Sequence, residues 1–184
     1  MRVPDFRNRF RLKVLAGILA SLANVAFAGP APDRTAMVAF LFKLPAFVEW
    51  PDSAFVSPTD PFRLCIVGED PFGTLLEGSR DTQAVGKHPI VVQREKTVSP
   101  DDQCQLMYVE GEPAFVSQCL AVESGRPVLT VTDDAVEGDK GVVNFVVVQS
   151  QVHLQIDQQA ARRNHLNVSS KLLDLAAAPD GSAP

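Results

Sequence analysis

The sequence predicts a single α/β domain: a mixed, mostly parallel sheet with helices on both faces and an antiparallel hairpin toward the C-terminus. Three observations carry that expectation. The runs at 62–67, 88–93, 104–109 and 127–132 are apolar nearly throughout, as strands buried on both faces must be. Helical spacing or turn signals separate them, the alternation that lays parallel strands side by side. Two further runs, 142–148 and 152–156, are divided only by Gln149-Ser150-Gln151, which suits a hairpin and is too short for a crossover.

From the N-terminus, Arg2, Arg7, Arg9, Arg11 and Lys13 precede the charge-free run 14–23 and then Ala26-Phe27-Ala28. A basic start, an apolar stretch shorter than the roughly 20 residues of a membrane span, and small residues in A-x-A spacing read as a secretory signal peptide cleaved after Ala28. An uncleaved anchor is the alternative. Residues 1–28 are thus the signal peptide and 29–184 the domain, with an ordered core of about 33–178. The full chain of 184 residues has 17 Lys+Arg against 22 Asp+Glu, a net charge of -5, and cleavage makes it more acidic. Such a charge excludes a phosphate-backbone binder, so no nucleic-acid partner is expected.

Within the domain, Asp33 is an N-cap candidate, and Met37, Phe40, Leu41, Leu44, Phe47 and Val48 recur at helical spacing. A helix from Asp33 to Trp50 follows, with a kink or short break at Pro45 and an end at Pro51. Phe62 to Val67 is the first strand, followed by a turn over Gly68 to Gly73 and a short helix through Leu75 and Leu76. A helix from about Glu112 to Glu123 precedes the 127–132 strand. Beyond the hairpin, a helical region spans Asp157 to Ala178, broken near Asn164 to Asn167, with Leu172, Leu173 and Ala176 on one face. The tail from Pro179 is short and frayed.

The sequence has three cysteines, so at most one pair closes within the chain. Cys65 lies in one strand and Cys104 begins another, and adjacent strands hold Cβ atoms at disulfide spacing. Such a bond would close a loop of about 40 residues and contribute roughly 4 kcal/mol. Cys119, four residues after Phe115 in a helical stretch, reads as a buried free thiol, with exchange or intermolecular pairing as the sharper alternative. There is no C-x-x-C, and His88, His153 and His165 are scattered, so no metal site is expected. No G-x-S-x-G elbow or other nucleophile motif is present, and neither catalytic residues nor a cofactor are predicted.

Three clusters admit two readings. The Gly68 to Gly73 loop has the look of a phosphate cradle, yet Glu69 and Asp70 would repel an anion, and a turn is favoured. Asp133 and Asp134, with Glu137 and Asp139, could attract a cation but lack calcium-loop spacing, which favours a solvated acidic turn. Arg162 and Arg163 beside Asn164 and His165 could grip an anion, though a polar helix face is the commoner arrangement.

Several segments, taken in order, resemble the YfiR-like family of periplasmic regulators. They are Phe47-Val48-Glu49-Trp50-Pro51, Leu64-Cys65-Ile66-Val67-Gly68 with Asp70-Pro71-Phe72-Gly73, Gly86-Lys87-His88-Pro89-Ile90, the run from Pro127 to Asp133, Asn144-Phe145-Val146, and Ser169-Ser170-Lys171-Leu172-Leu173. The resemblance implies a dimer-forming, non-enzymatic protein that restrains an inner-membrane diguanylate cyclase by binding its periplasmic sensor region. That binding would lower cyclic-di-GMP and biofilm formation. It also implies that an outer-membrane, peptidoglycan-associated lipoprotein can sequester the repressor, and that the family disulfide falls on Cys65 and Cys104. Two departures stand out: a second, C-terminal disulfide has no pair here, and the glycine pair before the Asn-Phe segment is reduced to Gly141.

Candidate partner or ligand surfaces are Phe47 and Trp50, Asp70 and Phe72, Asn144, Arg162 and Leu172. The competing function is a periplasmic small-molecule-binding protein, with the ligand at the carboxyl edge of the sheet near Asp70 and Asp133.

Overall fold

A computed structural model describes residues 33–177 apart from 83, 100 and 135–137. The predicted signal peptide, Glu137 and the tail from Pro179 lie outside the described residues. Asp33 caps helix α1 (Arg34–Lys43), its side chain accepting the Ala36 N–H at 3.1 Å. The helix stops sooner than the periodicity predicts. Pro45 has no N–H to continue the ladder, and Leu44–Phe47 tightens into a 3-10 turn. The chain then straightens into β1 (Val48–Glu49), so Phe47 ends the 3-10 turn and Trp50 is not on a helix.

A 3-10 turn (Asp52–Ala54) leads to β2 (Phe62–Gly68). The expected short helix after it is a 3-10 segment over Gly73–Thr82. The two-residue β3 (Ala84–Val85) pairs with β4 (His88–Glu95), and β5 (Leu106–Glu110), α2 (Pro113–Glu123) and β6 (Leu129–Asp133) follow. The hairpin is present as β7 (Val143–Val148) and β8 (Gln151–Ile156), turning on Gln149 and Ser150, whose φ of 49° and 67° give both central residues the left-handed geometry of a tight hairpin turn. Helices α3 (Gln158–Arg163) and α4 (Ser170–Ala177) end the described chain, and the break between them contains β9 (Asn167–Val168), which pairs antiparallel with β1.

The seven-stranded sheet runs β3-β4-β2-β5-β6-β7-β8, with the five inner strands parallel and both outer strands antiparallel to their neighbours. Counted among the parallel strands alone, the order is second, first, third, fourth, fifth, the flavodoxin-like arrangement, whose direction of winding reverses between β2 and β5. Both faces of the inner strands are covered. On one, Phe62, Leu64 and Ile66 of β2 join Leu106, Tyr108, Val131 and Phe145 beneath Met37 and Leu41 of α1 and Leu172 of α4. On the other, Cys65 and Val67 join Met107 and Val109 beneath Val116 and Cys119 of α2. Consecutive side chains of one strand point to opposite faces, so burial on both explains the unbroken apolar runs.

Candidate functional site

The carboxyl ends of β2 and β5 border the crevice in which folds of this strand order hold ligands. Here it is filled from within. The chain leaves β2 through Gly68 at φ +87°, and a Cβ there would sit 2.2 Å from the Glu110 carbonyl oxygen and 2.6 Å from Cε1 of Phe115. Gly111 lies under the same ring, 2.9 Å from Cδ1 by the same construction. The Glu69 N–H donates to the Glu110 carbonyl at 3.0 Å, binding the two strand ends together. The loop that looks like a phosphate cradle is a turn: Asp70 Oδ1 accepts the N–H groups of Phe72 and Gly73 at 2.8 and 3.1 Å, and Oδ2 accepts Arg94 Nε at 2.7 Å. Burial works against the Asp70 charge, but Arg94 and those two N–H groups outweigh it and hold the carboxyl below its ordinary range.

Phe72 is buried and packs edge-on against Tyr108, centroids 4.8 Å apart. The Tyr108 hydroxyl lies 2.8 Å from Glu110 Oε2 and 2.8 Å from Asp133 Oδ2, and Arg34 Nη1 reaches the same two oxygens at 3.5 and 3.3 Å. Burial pushes the Glu110 carboxyl up. Asp134, the other member of the expected acidic turn, pairs with Lys140 at 3.4 Å and accepts Asn144 Nδ2 at 2.6 Å, while Asp139 is exposed. Asn144 is itself buried, accepting the Thr132 hydroxyl at 3.0 Å and tying β6 to β7. Among the described residues, no group of three His, Cys, Asp or Glu side chains is placed to hold a metal ion.

The amino edge is built differently. Cys65 and Cys104, 39 positions apart in the sequence, form the disulfide, with Cα atoms 5.9 Å apart. Next to it, buried Gln105 ties several segments together. Its Oε1 accepts Arg63 N–H and its Nε2 donates to the Ala54 carbonyl, both at 2.7 Å, while its own carbonyl accepts Leu129 N–H at 2.9 Å and the Trp50 indole N–H at 3.2 Å. Trp50 is half-buried, edge-on to Phe62 at 5.0 Å, and half-buried Phe47 packs on the same core. His88 stacks on Phe55 at 4.0 Å, and its Nδ1–H donates to the Asp60 carbonyl at 2.6 Å. Two open clefts flank the segment 52–58, one of about 580 Å³ against Lys87 and His88, the other of about 400 Å³ against Cys104, Gln105 and Arg126.

Toward the back of this edge, Glu123 at the end of α2 is 1% exposed. Its Oε1 pairs with Arg126 at 2.9 Å, and its Oε2 has no hydrogen-bond partner among the described residues. Burial pushes its carboxyl up to about 7, against the pull of Arg126. Cys119, one turn earlier, is free and buried, and burial raises its thiol further from ionisation. Asn164, in the predicted anion-gripping cluster, is spent internally, accepting Gly125 N–H and donating to the Val128 carbonyl, while Arg162, Arg163 and His165 are exposed.

Of the sequence-predicted surface residues, Asp70 and Phe72 meet at the carboxyl edge and Phe47 and Trp50 lie on the amino-edge core. Phe72, Asn144 and Leu172 are each at most 3% exposed, Phe47 and Trp50 are half-buried, and Asp70 and Arg162 are exposed. Residues the sequence reading did not single out are Arg34, Gln105, Tyr108 and Phe115. A lone glutamine beginning an apolar run, and a tyrosine two residues before a glutamate on the same strand face, were the available signals.

This architecture defines a disulfide-linked α/β domain of flavodoxin-like strand order in which Phe115 packs over the glycines at the strand switch point. Residues 35–177 match the DUF4154 family, described as YfiR/HmsC-like, and the chain belongs to that family. No curated protein matches it. The family is one of periplasmic regulators of diguanylate cyclase signalling rather than of enzymes. No helix among the described residues is long and apolar enough to cross a membrane.

Proposed function

We propose that the chain is exported by a signal peptide cleaved after Ala28 and acts in the periplasm as a homodimeric negative regulator. It binds the periplasmic sensor region of an inner-membrane diguanylate cyclase and lowers cyclic-di-GMP output, restraining biofilm formation. An outer-membrane, peptidoglycan-associated lipoprotein is the partner that would draw it away. The observation that carries this reading is the family match over 35–177. The Phe115 ring across Gly68 and Gly111 adds support, because it occupies space at the strand switch point where folds of this order hold ligands. Repression then requires tighter binding to the inactive than to the active sensor conformation, since equal affinity shifts no equilibrium. Arg162 on α3 and Leu175 on α4, both exposed, are the surface positions to vary first.

The test is cyclic-di-GMP in a strain lacking this protein, complemented with the intact chain or with a version without Met1 to Ala28. A rise on deletion, reversed only by the exportable form, is the expected result. Unchanged cyclic-di-GMP on deletion, or rescue by the form that stays inside, overturns the reading.

A further inference from the structure

We propose that Glu110 and Asp133 share one proton through the Tyr108 hydroxyl, forming a proton-binding site that fastens the first turn of α1 to the carboxyl edge of the sheet. Tyr108 Oη is 2.8 Å from Glu110 Oε2 and 2.8 Å from Asp133 Oδ2, and a phenol carries a single hydrogen. With both carboxylates ionised, one of these contacts sets lone pair against lone pair. With one proton added, both become hydrogen bonds: the Glu110 carboxyl donates to Tyr108 Oη, and the Tyr108 O–H donates to the Asp133 carboxylate.

The charges around the site agree with that assignment. Arg34 lies against both acids, at 3.3 Å from Asp133 and 3.5 Å from Glu110. Glu69, from the loop after β2, adds negative potential at Glu110. On the β6 side, Asp134 is paired with Lys140, whose ammonium also donates to the Asp133 carbonyl at 3.4 Å. Arg34 lies nearer Asp133 than Glu110, and burial together with the Glu69 charge pushes the Glu110 carboxyl up, so Glu110 takes the proton. One proton brings Arg34, Glu110 and Asp133 to neutrality in a place where Asp133 is buried and the other two are only partly open to water. Release of the proton leaves an excess negative charge and an unsatisfied contact at the residue where α1 begins.

The physiological use of such a site, as an acid-responsive element on the repressor, rests on the periplasmic reading above. The proton sharing itself does not, and the purified chain tests it without a cyclase. Tyr108 is the one tyrosine in the sequence, so a ring-carbon label at the phenol position reports this site alone. Its NMR shift should move in one step on titration from about pH 4 to about pH 9, with a midpoint above the ordinary carboxylate range. Glu110→Gln, which gives the phenol a permanent N–H donor, should abolish the step, and Arg34→Gln should move it to higher pH by removing the cation. A wild-type chain with no step in that range, or a step that persists unchanged in Glu110→Gln, overturns the proposal, and the wild-type titration decides even if a variant fails to fold.

Discussion

The two edges of the same parallel sheet are closed by opposite means. At the carboxyl edge the strands approach so closely that Gly68 has no room for a Cβ, and Phe115 lies across it and Gly111. At the amino edge the segments stand apart and are bridged, by the disulfide, by the Gln105 amide and by Asn164, and open clefts remain between the bridges. The contrast separates fold from function. Strand order alone points to a ligand at the carboxyl edge, yet there the side chains that would recognise it are consumed: Asp70 by Arg94 and the turn, Asp133 by Tyr108 and Arg34.

Breaking the carboxyl edge should have the largest effect. Gly68→Ala places a methyl group 2.2 Å from a backbone oxygen at a φ of +87°, combining left-handed strain with overpacking. A loss of about 4 kcal/mol is expected, read as a fall in denaturation midpoint and in the protection of β5 amides from hydrogen exchange. A variant as stable as the parent would mean that β2 and β5 are not held together by this approach. The amino edge should yield about as much or slightly less. Cys65→Ser with Cys104→Ser releases two positions 39 apart in the sequence, with an expected loss of at most about 4 kcal/mol, and the protein should accumulate to lower levels. Because Gln105 adjoins Cys104 and its carbonyl accepts the indole N–H of Trp50, the single tryptophan of the chain, fluorescence should report the loosening of that edge directly.

The fold was legible because its strands are buried on both faces. Runs such as Phe62 to Val67 show that burial in composition alone, the N-cap at Asp33 and the break at Pro45 follow from local chemistry, and the pairing of Cys65 with Cys104 follows from their placement on adjacent strands together with the family resemblance. The two-residue strands β1, β3 and β9 were not legible, because they have no periodicity of their own and exist only through tertiary pairing. The periodicity from Asp33 to Trp50 misled for a related reason: Val48 faces the core from a strand as readily as from a helix. The site was less legible still. The sequence pattern flagged Asp70 and Asp133 near strand ends and the family resemblance flagged Asn144, but their partners, Arg94, Tyr108 and Thr132, lie far away in sequence or on another strand. Which groups neutralise a buried acid is settled by strand register, which local sequence does not specify.

The finest distinction between the edges lies in their buried acids. Glu110 has a hydroxyl against it, whereas Glu123 has Arg126 on one oxygen and no hydrogen-bond partner for the other among the described residues. Burial lifts the Glu123 carboxyl from 4.5 to about 7, so the folded state favours its protonated form. For a group raised in the folded state, the associated stability is complete below the unfolded value and is lost as pH climbs through the folded one. The chain should therefore lose stability between about pH 4.5 and about pH 7 on account of Glu123. Glu123→Gln keeps the shape and removes the titration, so it should flatten that slope and exceed the parent in stability at about pH 8, by on the order of 1–3 kcal/mol. Urea denaturation of both proteins on either side of neutrality checks this. A variant that is weaker than the parent at every pH would show instead that the Arg126 ion pair outweighs the buried charge, and that the amino edge depends on Glu123 as one more bridge.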